Sequence, residues 1–283
     1  MEENKKLDWL QVYRAIITIF VVWGHIVLLG QQSDIFNVTN RMIYLFHMPA
    51  FFAMSGFLFG LKESTTEPAV IVKKKLVSLG IPYLFFSFFY LFVKLFIQNV
   101  VIVQKKVQMV DFLRILFFPN ISTSIYWFLF VLILFFLIFT VCRKNKKIIY
   151  LISFISLLYF IMWKGECLNI FNDCFDSFVG YSFCFSISML CGQKYKHQEK
   201  ISSLKMVIFY VFVILFVLFA PLFVMNIKEM FLLNGLNLLV GLCSLLFLIG
   251  GICFVGLITI VLLKNPLLTK IFVYIGNVSW FIY

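Results

Sequence analysis

Residues 235–263 read GLNLLVGLCSLLFLIGGICFVGLITIVLL and contain no charged side chain. A helix of about 20 mainly apolar residues crosses the hydrocarbon core of a bilayer, so this stretch predicts a transmembrane helix. The rest of the chain has the same character, with 63% hydrophobic residues, 13% charged residues and a mean hydropathy of +1.04. Soluble domains have about 45–50% apolar and about 25% charged residues. The composition therefore excludes a water-soluble fold and predicts a membrane protein.

Clusters of charges, Pro, Gly and Asn divide the sequence into an expected all-α transmembrane bundle of about eight complete spans. The spans are 12–30, 42–61, 76–98, 125–142, 147–163, 177–193, 205–226 and 235–263. A ninth apolar run begins near Val278 and is too short to cross, so we expect a truncated final helix. Segment 99–124 carries Asp111 and Arg114 beside an apolar run, which is typical of an interfacial or re-entrant helix. We find no repeat or linker and expect residues 1–283 to form a single domain.

The net charge of +12 has a topological explanation. Most lysines and arginines fall in loops on the side of the N-terminus, which predicts a cytoplasmic N-terminus in the cell membrane. Motifs of nucleic-acid binding are absent from the sequence, so no nucleic-acid partner is expected. The seven cysteines form no CxxC pair, and we expect no metal site. Cys167 and Cys174 share a predicted loop, where two reduced thiols are favoured over a disulfide.

The first predicted span contains two ionisable residues, Arg14 and His25, and such residues inside a membrane indicate function by default. Eleven residues of α-helix return to within about 20° of the same face and rise about 16 Å, so both side chains are expected to line one cavity. Arg14 is suited to holding a phosphate or carboxylate, and His25 to proton transfer. The alternatives are a snorkelling anchor for Arg14 and a helix–helix hydrogen bond for His25.

Two further sites come from the next two spans. His47 lies near the start of the second span, where it either positions an acceptor hydroxyl or sits among lipid headgroups. Lys73, Lys74 and Lys75 precede the third span, where they attract the phosphates of a coenzyme or of anionic membrane lipids, or simply fix the topology.

Five stretches resemble one family of membrane enzymes. They are LDWLQVYRAIITIFVVWGHI (7–26), LFHMPAFFAMSGFLF (45–59), KKKLVSLGIPYLFFS (73–87), YWFLFVLILFF (126–136) and IGNVSWFIY (275–283). The chain is similar to membrane acyltransferases of the acyltransferase-3 family and, within it, to the branch related to fucose 4-O-acetylases. The first stretch includes the Arg-x10-His arrangement of that family, which Arg14 and His25 reproduce.

The resemblance implies transfer of an acyl group, usually acetyl from acetyl-CoA, to a hydroxyl of an envelope polysaccharide sugar or its lipid-linked precursor. It implies that His25 is the catalytic base, that Arg14 supports it or binds the donor, and that His47 lies in the same cavity. Lys73, Lys74 and Lys75 would approach the phosphates of coenzyme A. The competing interpretation is a transporter or flippase in which Arg14 and His25 line a path for an anionic or lipid-linked substrate.

Overall fold

The computed structural model describes residues 8–25, 34–61, 67–98, 106–117, 126–168, 173–195 and 203–279. Within these ranges the chain is helical and contains no β-strand, which confirms the expected all-α fold. The α-helices are α1 (Asp8–His25), α2 (Asp34–Leu61), α3 (Pro68–Lys75), α4 (Ile81–Ile97), α5 (Met109–Phe117), α6 (Trp127–Cys142), α7 (Lys146–Lys164), α8 (Asp173–Tyr195), α9 (Ser203–Leu222), α10 (Lys228–Leu233), α11 (Asn237–Leu263) and α12 (Pro266–Val278). Two π-helical turns, Leu76–Gly80 and Phe223–Ile227, join α3 to α4 and α9 to α10.

Helices α1 and α2 run antiparallel. The ring of Trp9 lies 5.5 Å from that of Phe57, and the hydroxyl of Tyr44 donates to the carbonyl oxygen of Gly24 at 2.8 Å. The end of α1 therefore lies beside the first half of α2. We call the end of the bundle that contains the start of α1 the proximal end, and the end that contains Gly24 and Tyr44 the distal end.

Helices α2 and α8 form the closest packed pair and run parallel. A Cβ atom at Gly56 would collide with the carbonyl oxygen of Phe185, and one at Gly60 with that of Met189. Helices in lipid gain little from the hydrophobic effect between them, so small residues that admit close van der Waals contact stabilise their association. Glycines one turn apart therefore fix the register of α2 on α8.

Serines join α7 to the opposite side of α8. The hydroxyls of Ser153 and Ser186 lie 2.6 Å apart, and the hydroxyl of Ser156 accepts a bond of 2.8 Å from the amide of Phe183. These residues are buried, where a polar group without a partner would be costly. The polar contacts therefore hold α7 antiparallel to α8.

Six helices among the described residues are long and apolar enough to cross a membrane. They are Asp34–Leu61, Pro68–Ile97, Lys146–Lys164, Cys174–Tyr195, Lys205–Met225 and Asn237–Leu263, and Trp127–Cys142 and Pro266–Val278 are shorter apolar helices. Each of the eight expected spans overlaps a helix, and α1 contains the first of them up to His25, beyond which residues 26–30 lie outside the described part of the structure. The apolar helices indicate a multi-pass membrane protein.

The sequence did not predict helix α12, which spans Pro266–Val278. The ninth apolar run was expected from Val278, and residues 280–283 of that run lie outside the described part of the structure. Asn265 caps the helix, because its side-chain oxygen accepts from the amides of Leu267 and Leu268 at 2.9 and 3.2 Å. Asn before Pro at the first helical position is a strong start signal, which the search for apolar runs overlooked.

The segment expected to be interfacial or re-entrant contains the short helix α5. Its buried Asp111 accepts a bond of 2.8 Å from Arg114, and the hydroxyl of Tyr83 on α4 donates to the carbonyl oxygen of Ile115 at 2.7 Å. The opposite side is apolar and exposed, with Leu113 61% accessible. The exposed apolar side agrees with a helix at the membrane surface.

Candidate functional site

Arg14 points into the bundle. Its side chain is buried, and Nη1 donates to Gln11 Oε1 at 3.1 Å and to the carbonyl oxygen of Gly276 on α12 at 3.5 Å. A Cβ at Gly276 would collide with the carbonyl oxygen of Gln11, so only glycine allows α12 to come this close. An anchoring arginine instead extends towards the headgroups. The guanidinium is thus a cation held inside the protein between α1 and α12.

His47 is buried on the inner side of α2. Its Nδ1 lies 2.8 Å from the carbonyl oxygen of Ile43, and because a carbonyl only accepts, Nδ1 carries the proton. In the neutral imidazole the lone pair is therefore on Nε2, which faces α1, since a Cβ at Gly24 would lie 3.9 Å from it. The ring of Tyr44 meets the imidazole edge to face at 5.0 Å. His47 is thereby held in one tautomer and directed at the end of α1.

His25 is the last residue of α1, and its side chain lies outside the described part of the structure. Its backbone directly follows Gly24, which accepts a hydrogen bond from Tyr44 and at which an added Cβ would lie 3.9 Å from Nε2 of His47. The fold therefore brings the chain positions of His25 and His47 together at the distal end. The role of His25 as catalytic base stays a prediction.

Arg14 lies at a different level of the bundle from the two histidines. Ten residues of helix separate it from Gly24, a rise of about 15 Å. Direct contact between Arg14 and His47 is therefore excluded, and the two residues can act together only on a substrate long enough to reach both. A shared role for Arg14 and His25 also stays a prediction.

The three lysines before the third span do not form one cluster. Lys73 and Lys74 are exposed in the last turn of α3, whereas Lys75 is half-buried with its Nζ 4.0 Å from the centre of the Phe136 ring. A cation over an aromatic face is stabilised by the ring quadrupole. All three lie at the proximal end, where Lys73 and Lys74 are exposed and Lys75 is directed inwards.

Sequence reasoning missed Tyr44, which joins the end of α1 to His47. Its position three residues before His47 places both side chains on one helix face, and this spacing was the available signal.

Asp176 was missed as well. It is buried in α8 and accepts a hydrogen bond from the hydroxyl of Tyr159 on α7. The expected span began at residue 177, so Asp176 was counted as a loop residue. Ionisable residues inside a membrane span indicate function by default, and Asp176 was therefore not considered. The nearby Cys167 and Cys174 are free thiols, as favoured above.

The fold and the site together define a multi-pass helical membrane protein with a cation and an imidazole inside the bundle. The acyltransferase-3 family, described as an acyltransferase domain, matches residues 7–283, and the chain belongs to this family. No curated protein and no solved structure matches the chain. The family and the apolar helices support a membrane acyltransferase.

Proposed function

We propose that this protein is an integral-membrane O-acyltransferase that moves an acetyl group from acetyl-CoA to a hydroxyl of a cell-envelope or exopolysaccharide sugar, or of its lipid-linked precursor. The observation that carries the proposal is the match to the acyltransferase family over residues 7–283. The sugar acceptor and the fucose 4-O-acetylase-like branch rest on the resemblance of residues 7–26 and 45–59. We place the protein in the cell membrane with its N-terminus in the cytoplasm.

His25 is the proposed general base, and His47 its neighbour on the acceptor side. The base takes the proton of the sugar hydroxyl while the oxygen attacks the thioester carbonyl, and such catalysis contributes about 10²–10⁴-fold. The new C–O bond replaces the C–S bond, and the proton passes to the departing thiolate of coenzyme A. The Nε2 of His47, with its lone pair towards α1, is suited to orienting the attacking hydroxyl.

Arg14 is proposed to hold the donor away from the reacting carbonyl. The rise of about 15 Å between Arg14 and the distal end is too long for Arg14 to contact an oxyanion near His25. This distance is similar to the length of the pantetheine arm, which separates the thioester of coenzyme A from its phosphates. Lys73, Lys74 and Lys75 at the proximal end are the proposed contacts of these phosphates.

The test uses membranes that contain the full chain, acetyl-CoA labelled in the acetyl group, and isolated envelope glycan. Wild-type membranes should transfer label to the glycan as an ester that mild alkali releases. His25→Ala should lower the rate by about 100-fold or more, the contribution expected of a general base. His197→Ala is the matched control, because this histidine falls in a predicted loop and should leave the rate unchanged.

Two outcomes would contradict the proposal. Unchanged labelling by His25→Ala, at equal amounts of folded protein, would remove His25 as the base. Movement of glycan precursor across the membrane without formation of an ester would instead identify a transporter.

A further inference from the structure

A cavity of about 610 Å³ opens at the distal end, between α2, α7, the π-turn after α9, α10 and α11. Its lining combines aromatic residues with charged and polar residues, among them Asn40, Arg41, Tyr44 and Lys228. Sites for small molecules in proteins have volumes of about 300–1,000 Å³. The cavity is therefore large enough for one or two sugar rings.

The inner wall of the cavity is aromatic. Phe160 and Phe223 are almost fully buried behind it, and the ring of Tyr44 stands half-exposed at its side. Aromatic side chains offer rigid apolar surface with a polar tip where they carry a hydroxyl. Of these residues, Tyr44 is the one whose ring is accessible to the apolar C–H face of a sugar ring, while Phe160 and Phe223 form the base beneath the cavity.

The rim carries three cations and two carboxylates, which are Arg41, Lys164 and Lys228 with Glu166 and Glu229. Lys228 pairs with Glu166 at 3.5 Å, and Arg41 Nη1 donates to the carbonyl oxygen of Val224 in the π-turn at 3.2 Å. Both contacts hold a cation at the rim. The excess of one positive charge favours a ligand with an anionic group.

Asn40 supplies an independent sign of a ligand. It lines the cavity, and its Oδ1 is buried with no hydrogen-bond partner among the described residues. A buried acceptor without a partner costs about 1–3 kcal/mol. A rotation of the amide towards the cavity would let a ligand hydroxyl donate to this oxygen and remove the cost.

The cavity adjoins the proposed site of transfer through Tyr44. This residue lines the cavity, contacts the imidazole of His47 and donates to the carbonyl oxygen of Gly24, one residue before His25. We propose that the cavity binds the acyl acceptor and that this acceptor is an anionic sugar whose phosphate or carboxylate contacts Arg41 and Lys228. The inference rests on the proposed function, since it assigns the cavity to the acceptor of that reaction.

The experiment measures equilibrium binding to the purified full chain in phosphatidylcholine nanodiscs, without any acyl donor. The probes are N-acetylglucosamine 1-phosphate and neutral N-acetylglucosamine. Wild-type protein should bind the sugar phosphate more tightly than the neutral sugar. Lys228→Gln should weaken binding of the sugar phosphate by roughly tenfold, because it removes one contact to the anion and leaves Glu166 to repel it.

Glu166→Gln should have the opposite effect. It removes the carboxylate that competes for Lys228, so the sugar phosphate should bind a few-fold more tightly, and a folding defect would not produce opposite signs in the two variants. Arg41→Lys keeps the charge and should retain most of the affinity. Lys205→Gln, an exposed lysine at the other end of α9, is the control and should change nothing.

Equal affinity for the two probes, or a shift of Lys228→Gln and Glu166→Gln in the same direction, would overturn the proposal. Loss of sugar-phosphate binding when phosphatidylglycerol replaces phosphatidylcholine would assign the cavity to lipid headgroups and overturn it too. Binding of the sugar phosphate without any acyl transfer in the earlier assay would count against the proposed function alone. The two proposals can therefore fail separately.

Discussion

The two ends of the bundle hold positive charge in different ways. At the proximal end, Lys75 lies over the ring of Phe136 and Arg14 contacts the neutral oxygens of Gln11 and Gly276. At the distal end, Lys228 forms an ion pair with the carboxylate of Glu166 at 3.5 Å. The ring of Phe136 and the oxygens of Gln11 and Gly276 are uncharged contacts of these cations, whereas the carboxylate of Glu166 partly neutralises Lys228. We therefore propose that the proximal end receives the phosphates of the donor and that the distal end receives an acceptor with a single anionic group.

The largest effect of a substitution is expected at Arg14, at the proximal end. Arg14→Ala removes a buried cation and should lower kcat/KM for acetyl-CoA by about 100-fold, since a hydrogen bond to a charged group contributes about 1.5–3 kcal/mol. The loss should appear mainly in the KM for acetyl-CoA and not in that for the acceptor. Arg14→Lys keeps the charge but not the fork of donors, so an intermediate loss is expected. Lower amounts of protein with normal activity per molecule would show that Arg14 only supports the fold.

At the distal end, a pair of variants tests which ring nitrogen of His47 acts on the acceptor. Gln places an amide where Nε2 lies, and Asn places one where Nδ1 lies. If Nε2 orients the acceptor, His47→Asn should lower the transfer rate by roughly tenfold while His47→Gln stays within about threefold of wild type. The KM for the glycan acceptor should change and the KM for acetyl-CoA should not. The reverse order of the two variants would mean that the bond from Nδ1 to Ile43 is what matters.

The smallest effect is expected from the exposed lysines of the proximal end. The double variant of Lys73→Gln and Lys74→Gln should raise the KM for acetyl-CoA by about threefold at low salt, because exposed charges contribute at most about 1 kcal/mol each. The difference should vanish near 1 M salt, where the Debye length is about 3 Å. Lys270→Gln, exposed on α12, is the matched control. A difference that persists at high salt would point to a direct contact instead of long-range attraction.

Much of the fold follows from local patterns in the sequence. Each expected span overlaps a helix of the described residues, six helices there are long and apolar enough to cross a membrane, and Arg14 and His25 both lie in α1. Hydropathy failed where a polar signal set the boundary, as at Asn265, which starts α12, and at Asp176, which lies inside α8. A search for apolar runs excludes polar residues by construction, so it shortens helices that begin with them.

The candidate site was less accessible to such reasoning. One partner of Arg14 is the carbonyl oxygen of Gly276, 262 residues away in the chain, and no periodicity relates the two positions. The link from His47 through Tyr44 to Gly24 likewise depends on how far α1 extends along α2. Residue types identified candidates, and packing determined which of them meet.

The amino-acid sequence alone identifies this protein as an all-helical membrane acyltransferase of one family, with ionisable residues in its first expected span. Composition, hydropathy and motifs are local properties, and the absence of water as a backbone partner in lipid leaves helices as the solution for such a chain. Three features became visible in the tertiary structure. Arg14 faces α12, His47 lies against the end of α1, and helices distant in sequence enclose a cavity beside His47. These arrangements depend on close contacts between helices, which arise from the shape of facing surfaces and not from any single segment.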